Sequence, residues 1–168
     1  MARTKASAAA RQARWLTSEE EQAWRGVGAA IHKLRWALEC QLERDSDLSF
    51  IEYYTMARLS EEPTLTLRMS ELAVLSNASL SRLSHMVTRL EKWGFVRREP
   101  DPTDGRYTNA ILTKTGHDKL RHSAPAHIEA VRQLVIDEFS TAELDKLRAF
   151  CERIVARVDA SVWRQPLT

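Results

Sequence analysis

Hydroxyl and cationic side chains share one face of a helix that the sequence predicts between Ser79 and Trp93. That face carries Ser79, Ser81, Arg82, His85, Thr88 and Arg89. Serine and threonine hydroxyls can bind phosphate oxygens or base edges, and an arginine can grip O6 and N7 of guanine in the major groove. The face therefore suits contact with duplex DNA. The competing interpretation is an ordinary solvated helix surface.

A predicted β-hairpin over residues 95–113, which we name the wing, supplies a second set of cationic side chains. Its turn has the composition of a tight loop and places Arg106 at the tip beside Asp104. An arginine at such a tip can enter a narrow minor groove, where the negative potential is strongest. Arg97 and Arg98 lie at the base of the hairpin and are candidates for phosphate contacts. Phosphate contacts set register and make binding depend on salt, but they do not read the base sequence.

A long amphipathic helix precedes these elements. Thr17 or Ser18, followed by three glutamates, is typical of a helix start, and the helix is predicted to run to about Arg44. Its apolar stripe consists of Trp24, Val27, Ile31, Leu34, Leu38 and Leu42. A helix of about 27 residues is about 40 Å long at 1.5 Å per residue. Because a small domain does not need that length, we expect the stripe to pack partly on another chain.

The middle of the chain has the element order of a helix-turn-helix. A second helix is predicted over about 49–60, a very short strand over 64–67, and a short helix from Met69 to near Ser76. The second helix carries Phe50, Tyr53, Tyr54, Ala57 and Leu59. The helix that starts at Ser79 has an apolar face of Leu80, Leu83, Met86, Val87 and Leu90, with Gly94 as its C-terminal cap. A short helix joined by a tight turn to a second amphipathic helix is the DNA-binding motif of that name.

Two further long helices are predicted after the wing. The first covers about 114–138, and Pro125 within it predicts a kink or a local break. The last helix begins with a capping box at Ser140–Glu143. Apolar stripes at helical spacing are formed by Leu120, Ala124, Ile128, Val131 and Val135 and by Leu144, Leu147, Cys151, Ile154 and Val158.

Several short motifs together resemble the MarR (multiple antibiotic resistance regulator) family of transcriptional regulators. They are Leu72-Ala73, Ser79-Leu80-Ser81, Arg89-Leu90-Glu91, Gly94-Phe95-Val96-Arg97-Arg98, Asp101-Pro102-Thr103-Asp104-Gly105-Arg106, Leu112-Thr113 and Gly116. The most specific part is the Asp-x-Arg of the wing with the Leu-Thr-x-x-Gly run that follows it. The resemblance covers about residues 48–116 in motif and the whole chain in helix order.

The resemblance implies a winged-helix homodimer that binds pseudo-palindromic operator DNA, usually as a repressor. It places Ser79, Ser81, Arg82, His85 and Arg89 at the outward positions of the recognition helix. It also implies a wing pair in which the carboxylate of Asp104 orients Arg106. Many members of the family release DNA when a small phenolic or other lipophilic ligand enters the cleft between the dimerisation and DNA-binding regions.

We therefore expect a mainly α (α+β) fold, a winged helix-turn-helix with long N- and C-terminal dimerisation helices. The predicted segments are a basic flexible tail over 1–16, a dimerisation helix over 17–48, the DNA-binding domain over 49–113 and the C-terminal dimerisation helices over 114–168. The predicted partners are double-stranded operator DNA and a second copy of the chain.

Aromatic and imidazole side chains on the first two helices are candidates for an effector pocket. They are His32, Trp36, Tyr53 and Tyr54. Tyrosine and histidine offer polar groups on apolar walls, which suits a small aromatic ligand. Core packing is the competing explanation of these residues.

Composition and missing motifs exclude several function classes. The 168 residues carry a net charge of +2, 43% are hydrophobic, and no apolar run reaches the roughly 18 residues of a membrane span. We therefore expect a cytoplasmic protein that does not span a membrane. The sequence has no nucleophile elbow, P-loop, dinucleotide fingerprint or zinc signature, so neither enzymatic activity nor a cofactor or metal is expected.

Two alternatives to a ligand-released repressor remain open at this point. Cys40 and Cys151 lie near or on apolar stripes, where a small buried hydrophobe is the ordinary role. A thiol-based redox switch, with Cys40 as the candidate, is the first alternative. The second is a winged-helix module that binds a ligand or a protein but does not read DNA, and the small local excess of positive charge favours it slightly.

Overall fold

The first helix of the computed structural model begins at a capping box. The model describes residues 14–162, and residues 1–13 of the predicted basic tail lie outside the described range. Helix α1 spans Ser18–Ser46. The Thr17 N–H donates to Glu20 Oε2 at 2.8 Å and the Glu20 N–H donates to Thr17 Oγ1 at 3.3 Å, which confirms the predicted start.

The chain divides into two units within α1, one ending at Leu34 and the other starting at Arg35. In the first unit, Trp24, Val27 and Ile31 of the predicted apolar stripe are exposed. In the second unit, Leu38 and Leu42 of the same stripe are buried. The stripe is therefore covered only at its C-terminal end in a single chain.

Helix α2 spans Phe50–Glu61. Its buried residues are Glu52, Thr55, Met56 and Leu59, whereas Phe50, Tyr53, Tyr54 and Ala57 are half-buried. Glu52 forms the capping box at the start of α2. Its Oε2 accepts from the N–H and the hydroxyl of Ser49, at 2.9 and 2.7 Å. A carboxylate with hydrogen-bond partners can be buried, and Glu52 is 1% exposed.

The helix-turn-helix follows as predicted. Strand β1 spans Thr66–Arg68, helix α3 spans Met69–Leu75 and helix α4 spans Leu80–Lys92. The turn between the helices passes through Asn77 at φ 48°, a left-handed conformation that asparagine tolerates better than most residues. Helix α4 ends at Lys92, and Gly94, two residues later, has a φ of 73°, the conformation expected of a glycine after a helix.

Three residues of α4, Leu83, Val87 and Leu90, are buried in the core. Leu80 was predicted to join them and does not, since 54% of it is exposed. It occupies the first turn of α4, before the helix reaches the core.

Strands β2 (Val96–Pro100) and β3 (Thr108–Leu112) form the predicted hairpin. They belong to a three-stranded antiparallel sheet in the order β1-β3-β2, with Arg68 opposite Asn109 and Val96 opposite Leu112. The core lies between this sheet, helices α2–α4 and the helix that follows the wing. Its buried members are Leu48, Met56, Leu59, Met69, Leu72, Ala73, Leu83, Val87, Leu90, Val96, Ala110, Leu112 and Leu120.

Helix α5 spans Lys114–Leu134, a 3₁₀ turn follows at Ile136–Glu138, and helix α6 spans Thr141–Val162. The helix runs through Pro125 without interruption, so the predicted local break is wrong. Pro125 is exposed, so its ring can lie on the solvent side and the helix loses only one backbone donor. The capping box of the last helix is confirmed, with the Ser140 N–H donating to Glu143 Oε2 at 2.9 Å.

Large apolar residues of α5 and α6 remain uncovered in the single chain. They include Ile128, Phe150, Ile154 and Val155. Cys151, on the same stripe of α6, is exposed in the single chain, whereas Cys40 is half-buried. Within residues 14–162, the helices lack the combination of length and apolar content that crossing a bilayer requires.

Candidate nucleic-acid interface

The polar face of α4 points to solvent because Leu83, Val87 and Leu90 turn the opposite face into the core. The exposed residues of this face are Ser79, Ser81, Arg82, His85 and Arg89, while Thr88 is half-buried. Ser79 caps the helix, and its Oγ accepts from the Arg82 N–H at 3.3 Å. The five exposed side chains therefore line one surface of a helix that is anchored along its other side.

Arg89 is tied to α2 from this surface. Its Nη2 lies 2.9 Å from Oε1 of Glu52, a carboxylate that is only 1% exposed. The contact is an ion pair, since no hydrogen bond reaches that oxygen. The guanidinium also lies 5.1 Å from the ring centre of Trp93. Arg89 uses one nitrogen to hold α4 against α2, and most of its side chain remains in solvent.

The wing turn, residues 101–107, presents the predicted Asp-Arg pair. Arg106 Nε donates to Asp104 Oδ1 at 3.0 Å and Nη2 donates to Oδ2 at 2.6 Å. These side-chain hydrogen bonds lower the pKa of Asp104 and raise the pKa of Arg106. The pair is therefore charged at neutral pH, and Arg106 is 85% exposed at the tip of the wing.

The neighbouring arginines of β2 have different partners. Arg97 forms an ion pair with Glu99 on the exposed side of the strand. Arg98 faces α4, where its Nε and Nη2 donate to Oε2 of Glu91 at 2.9 and 2.5 Å. Arg98 also donates to the hydroxyl oxygens of Ser84 at 3.3 Å and Thr88 at 3.0 Å. Arg98 thus connects the wing to α4.

A cleft of about 250 Å³ separates the wing from α3 and α4. It is lined by Met69, Ser70, Leu80, Ser84, Arg98, Arg106, Tyr107 and Thr108. The exposed wing arginine and the first turns of α4 therefore border one groove. Two guanidinium groups and several hydroxyls make this groove suitable for an anionic backbone.

Asp101 is a structural residue of the site to which the sequence assigned no role. It is 9% exposed, and its Oδ1 accepts from the Thr103 hydroxyl at 2.6 Å and from the N–H groups of Thr103 and Asp104 at 2.9 and 3.2 Å. The hydrogen bonds from Thr103 hold the pKa of Asp101 far below its usual range, and Arg68 adds to this effect. An aspartate two residues before a threonine in a turn was the available signal.

The candidate effector residues have separate surroundings. Trp36 is exposed, and Tyr54 stacks on Phe50 with ring centres 6.0 Å apart. Tyr53 contacts His127, a residue that the sequence did not single out, with 4.5 Å between ring centres. His32 is exposed and belongs to the N-terminal unit.

Burial raises the pKa of Tyr53 and lowers that of His127, so both are neutral near pH 7. Nδ1 of His127 lies 2.9 Å from Oε1 of Gln41. Because an amide oxygen accepts hydrogen bonds, this contact fits the tautomer in which Nδ1 carries the proton. Among the described side chains, no group of His, Cys, Asp or Glu could hold a metal ion.

Comparison with known proteins places this architecture among transcriptional regulators. A model of the MarR family matches residues 46–106. The chain is similar to Sco3205, a MarR family transcriptional regulator from Streptomyces coelicolor whose crystal structure is in complex with DNA. The two sequences are 44% identical, the TM-score is 0.81, and the similarity covers 87% of this chain and 91% of Sco3205. The chain is also similar to the crystal structure of AbsC, a MarR family transcriptional regulator from the same organism. The two sequences are 35% identical, the TM-score is 0.84, and the similarity covers 88% of this chain and 99% of AbsC.

A curated relative gives a shorter match. The transcriptional regulator HosA of Escherichia coli O111:H- is 33% identical over 95 residues, which is 56% of this chain. The match spans 64% of the length of HosA.

Proposed function

Because this chain belongs to the MarR family of transcriptional regulators, we propose that it binds operator DNA as a homodimer and represses transcription. One observation carries the proposal: the paired wing arginine Arg106 lines the same cleft as Leu80 and Ser84 of α4, the helix that carries the exposed polar face. The DNA complex of Sco3205, whose chain is 44% identical, supports it. Such a regulator works in the cytoplasm, where its operator is accessible.

The recognition helix α4 enters the major groove in this proposal. Ser79, Ser81, Arg82 and His85 lie on its exposed N-terminal half, the part that contacts base edges in helix-turn-helix proteins. Arg89 reaches a phosphate with its free guanidinium nitrogens while Nη2 stays paired with Glu52. This arrangement avoids leaving a buried carboxylate without a cation, which is costly.

The wing reads the adjacent minor groove. Arg106 points from the tip, and Asp104 restricts its orientation through three side-chain hydrogen bonds. Arg97 contacts a phosphate by exchanging its surface partner Glu99. Arg98 braces the wing instead, because a phosphate contact would cost it the bonds to Glu91, Ser84 and Thr88.

A second copy of the chain covers the exposed apolar residues. Before Leu34, α1 exposes Trp24, Val27 and Ile31, and α5 and α6 expose a further stripe. Exposed large apolar side chains of this kind, on each of the two units, mark association sites. Two recognition helices then occupy successive major grooves about 34 Å apart, so the operator has inverted symmetry. The bound dimer represses by blocking polymerase.

A small phenolic or lipophilic ligand releases the dimer from DNA in this proposal. The half-buried Tyr53 and His127 support it, because two neutral polar rings in contact can accept a phenol through stacking and hydrogen bonds. Coupling between effector and DNA sites is usually about 1–3 kcal/mol, or about 5- to 150-fold in affinity.

Selection of duplexes from a random-sequence pool tests DNA reading, followed by gel-shift titration of the enriched sequence. We expect an inverted repeat to be enriched and bound by two chains. Failure to enrich any sequence at low salt would instead favour a winged-helix module that does not read DNA. Titration of salicylate-like acids into the complex tests the effector, and the absence of release at millimolar concentrations contradicts a phenolic ligand.

A further inference from the structure

Arg68 occupies a helix-cap position for which arginine is an unusual choice. It is the N-cap of α3, where serine, threonine, aspartate or asparagine is preferred. The Arg68 side chain makes no capping hydrogen bond, and only its N–H is engaged locally, with Glu71 Oε2 at 3.4 Å. The side chain therefore has a role away from its own helix.

That role is contact with the wing turn on both sides of its tip. Arg68 Nε donates to Oδ2 of Asp101 at 3.0 Å, before the tip. The guanidinium carbon lies 4.6 Å from the ring centre of Tyr107, after the tip. The Asp101 N–H donates to the Tyr107 carbonyl at 2.9 Å, so the two contacted residues also close the turn.

The two oxygens of the Asp101 carboxylate accept hydrogen bonds from different partners. Oδ1 accepts the three hydrogen bonds that shape the turn, including one from the Asp104 N–H at 3.2 Å. Oδ2 accepts from Arg68. Asp104 in turn holds Arg106. A continuous series of contacts thus leads from the start of α3 to the exposed wing arginine.

The place of this series in the groove gives it a consequence for binding. Met69 and Ser70, which directly follow Arg68, line one side of the cleft, and Arg106 and Tyr107 line the wing side. We propose that Arg68 is a positioning residue, which sets the direction of the wing tip relative to α4 and so aims Arg106 at the minor groove. The inference rests on the proposed function, since it concerns how the same surface meets DNA.

The test is a double-mutant cycle in operator binding, on the duplex that wild-type protein selects from a random pool. Arg68→Ala and Arg106→Ala each weaken binding by about tenfold or more. If Arg68 acts through Arg106, the double variant binds no more weakly than Arg106→Ala alone. A direct phosphate contact or general loss of folding would instead lower affinity further in the Arg106→Ala background.

Two further variants separate position from charge. Arg68→Lys keeps the charge but lacks Nε and the planar group over Tyr107, so it binds as weakly as Arg68→Ala. Asp101→Asn keeps Oδ1 as an acceptor for the turn but puts an amide donor opposite Arg68, so it shows the same loss and the same dependence on Arg106. Asp101→Asn also replaces Arg68→Ala in the cycle if that variant fails to fold. Arg44→Ala, which removes an exposed ion pair on α1, is the matched control and binds as wild type.

The possible failures are distinguishable. Wild-type protein that binds no duplex refutes the proposed function itself. If wild-type protein binds, three results would overturn the positioning role of Arg68. They are an Arg68→Ala affinity equal to wild type, an Arg68→Lys affinity equal to wild type, and losses of affinity in the double variant that are the sum of the two single losses.

Discussion

Arg97 and Arg98 are adjacent in β2, and their different partners lead to opposite predictions for alanine substitution. Arg98→Ala removes two hydrogen bonds to Glu91 and those to Ser84 and Thr88. Arg97→Ala removes only an ion pair with Glu99 whose two side chains are 51% and 50% exposed. The first substitution should affect folding, and the second should affect the salt dependence of DNA binding.

The magnitudes follow from burial. Hydrogen bonds to charged groups contribute about 1.5–3 kcal/mol. Because 30% of the Arg98 side chain is exposed, we expect the lower part of that range, about 2 kcal/mol. At about 2–4 °C per kcal/mol for a chain of this size, Tm falls by about 4–8 °C. Arg97→Ala costs less than about 1 kcal/mol, as exposed ion pairs do.

Thermal unfolding and gel-shift titration from low to moderate salt measure both effects. Arg97→Ala should reduce the slope of log affinity against log salt by about one, and Arg98→Ala should leave that slope unchanged. Wild-type Tm for Arg98→Ala together with a slope reduced by one would refute the bracing role. It would return Arg98 to the phosphate contacts that the sequence predicts.

Three other substitutions test the site and its support. Arg106→Ala should weaken operator binding at least about tenfold and leave folding and the association state unchanged, as sedimentation would show; unchanged gel-shift affinity would contradict the wing contact. Gly116→Ala should cost about 2–3 kcal/mol in denaturant unfolding, because a Cβ there would lie 2.1 Å from the Phe95 carbonyl oxygen. The control Gly26→Ala, with open space around its Cβ, should not destabilise the protein. Burial lowers the pKa of His127 in the folded chain below its usual value of 6.5. Because the unfolded chain then binds a proton on this imidazole more tightly than the folded chain, the free energy of unfolding falls as the pH drops below about 6.5. His127→Gln should flatten the stability change between about pH 7.5 and 5.5, and an unchanged profile would exclude His127 as its source.

The recognition surface was predictable from local patterns. The spacing of Leu83, Val87 and Leu90 fixes which side of α4 is buried, and the polar residues between them must then be exposed. The turn composition before Arg106 likewise fixes the tip of the wing. These features depend on neighbours close in the chain.

The supporting contacts were not predictable, because their partners are distant in sequence. The spacing of Ser49 and Glu52 is that of a capping box and marks the start of α2. Nothing local shows that Arg89 of α4 forms the ion pair with Glu52. Strand alternation gives no reason for Arg98 to face α4 rather than solvent. Arg68 was missed because its partner Asp101 meets it only when β1 joins the sheet.

Hydroxyl-radical footprinting of the selected duplex tests most directly how two chains hold DNA. With wild-type protein we predict protected backbone on one face of the duplex, in two symmetric blocks centred about one helical turn apart. Flanking minor-groove protection should be present with wild type and lost with Arg106→Ala. A single block without symmetry, or flanking protection that survives the substitution, would contradict the placement of α4 and the wing.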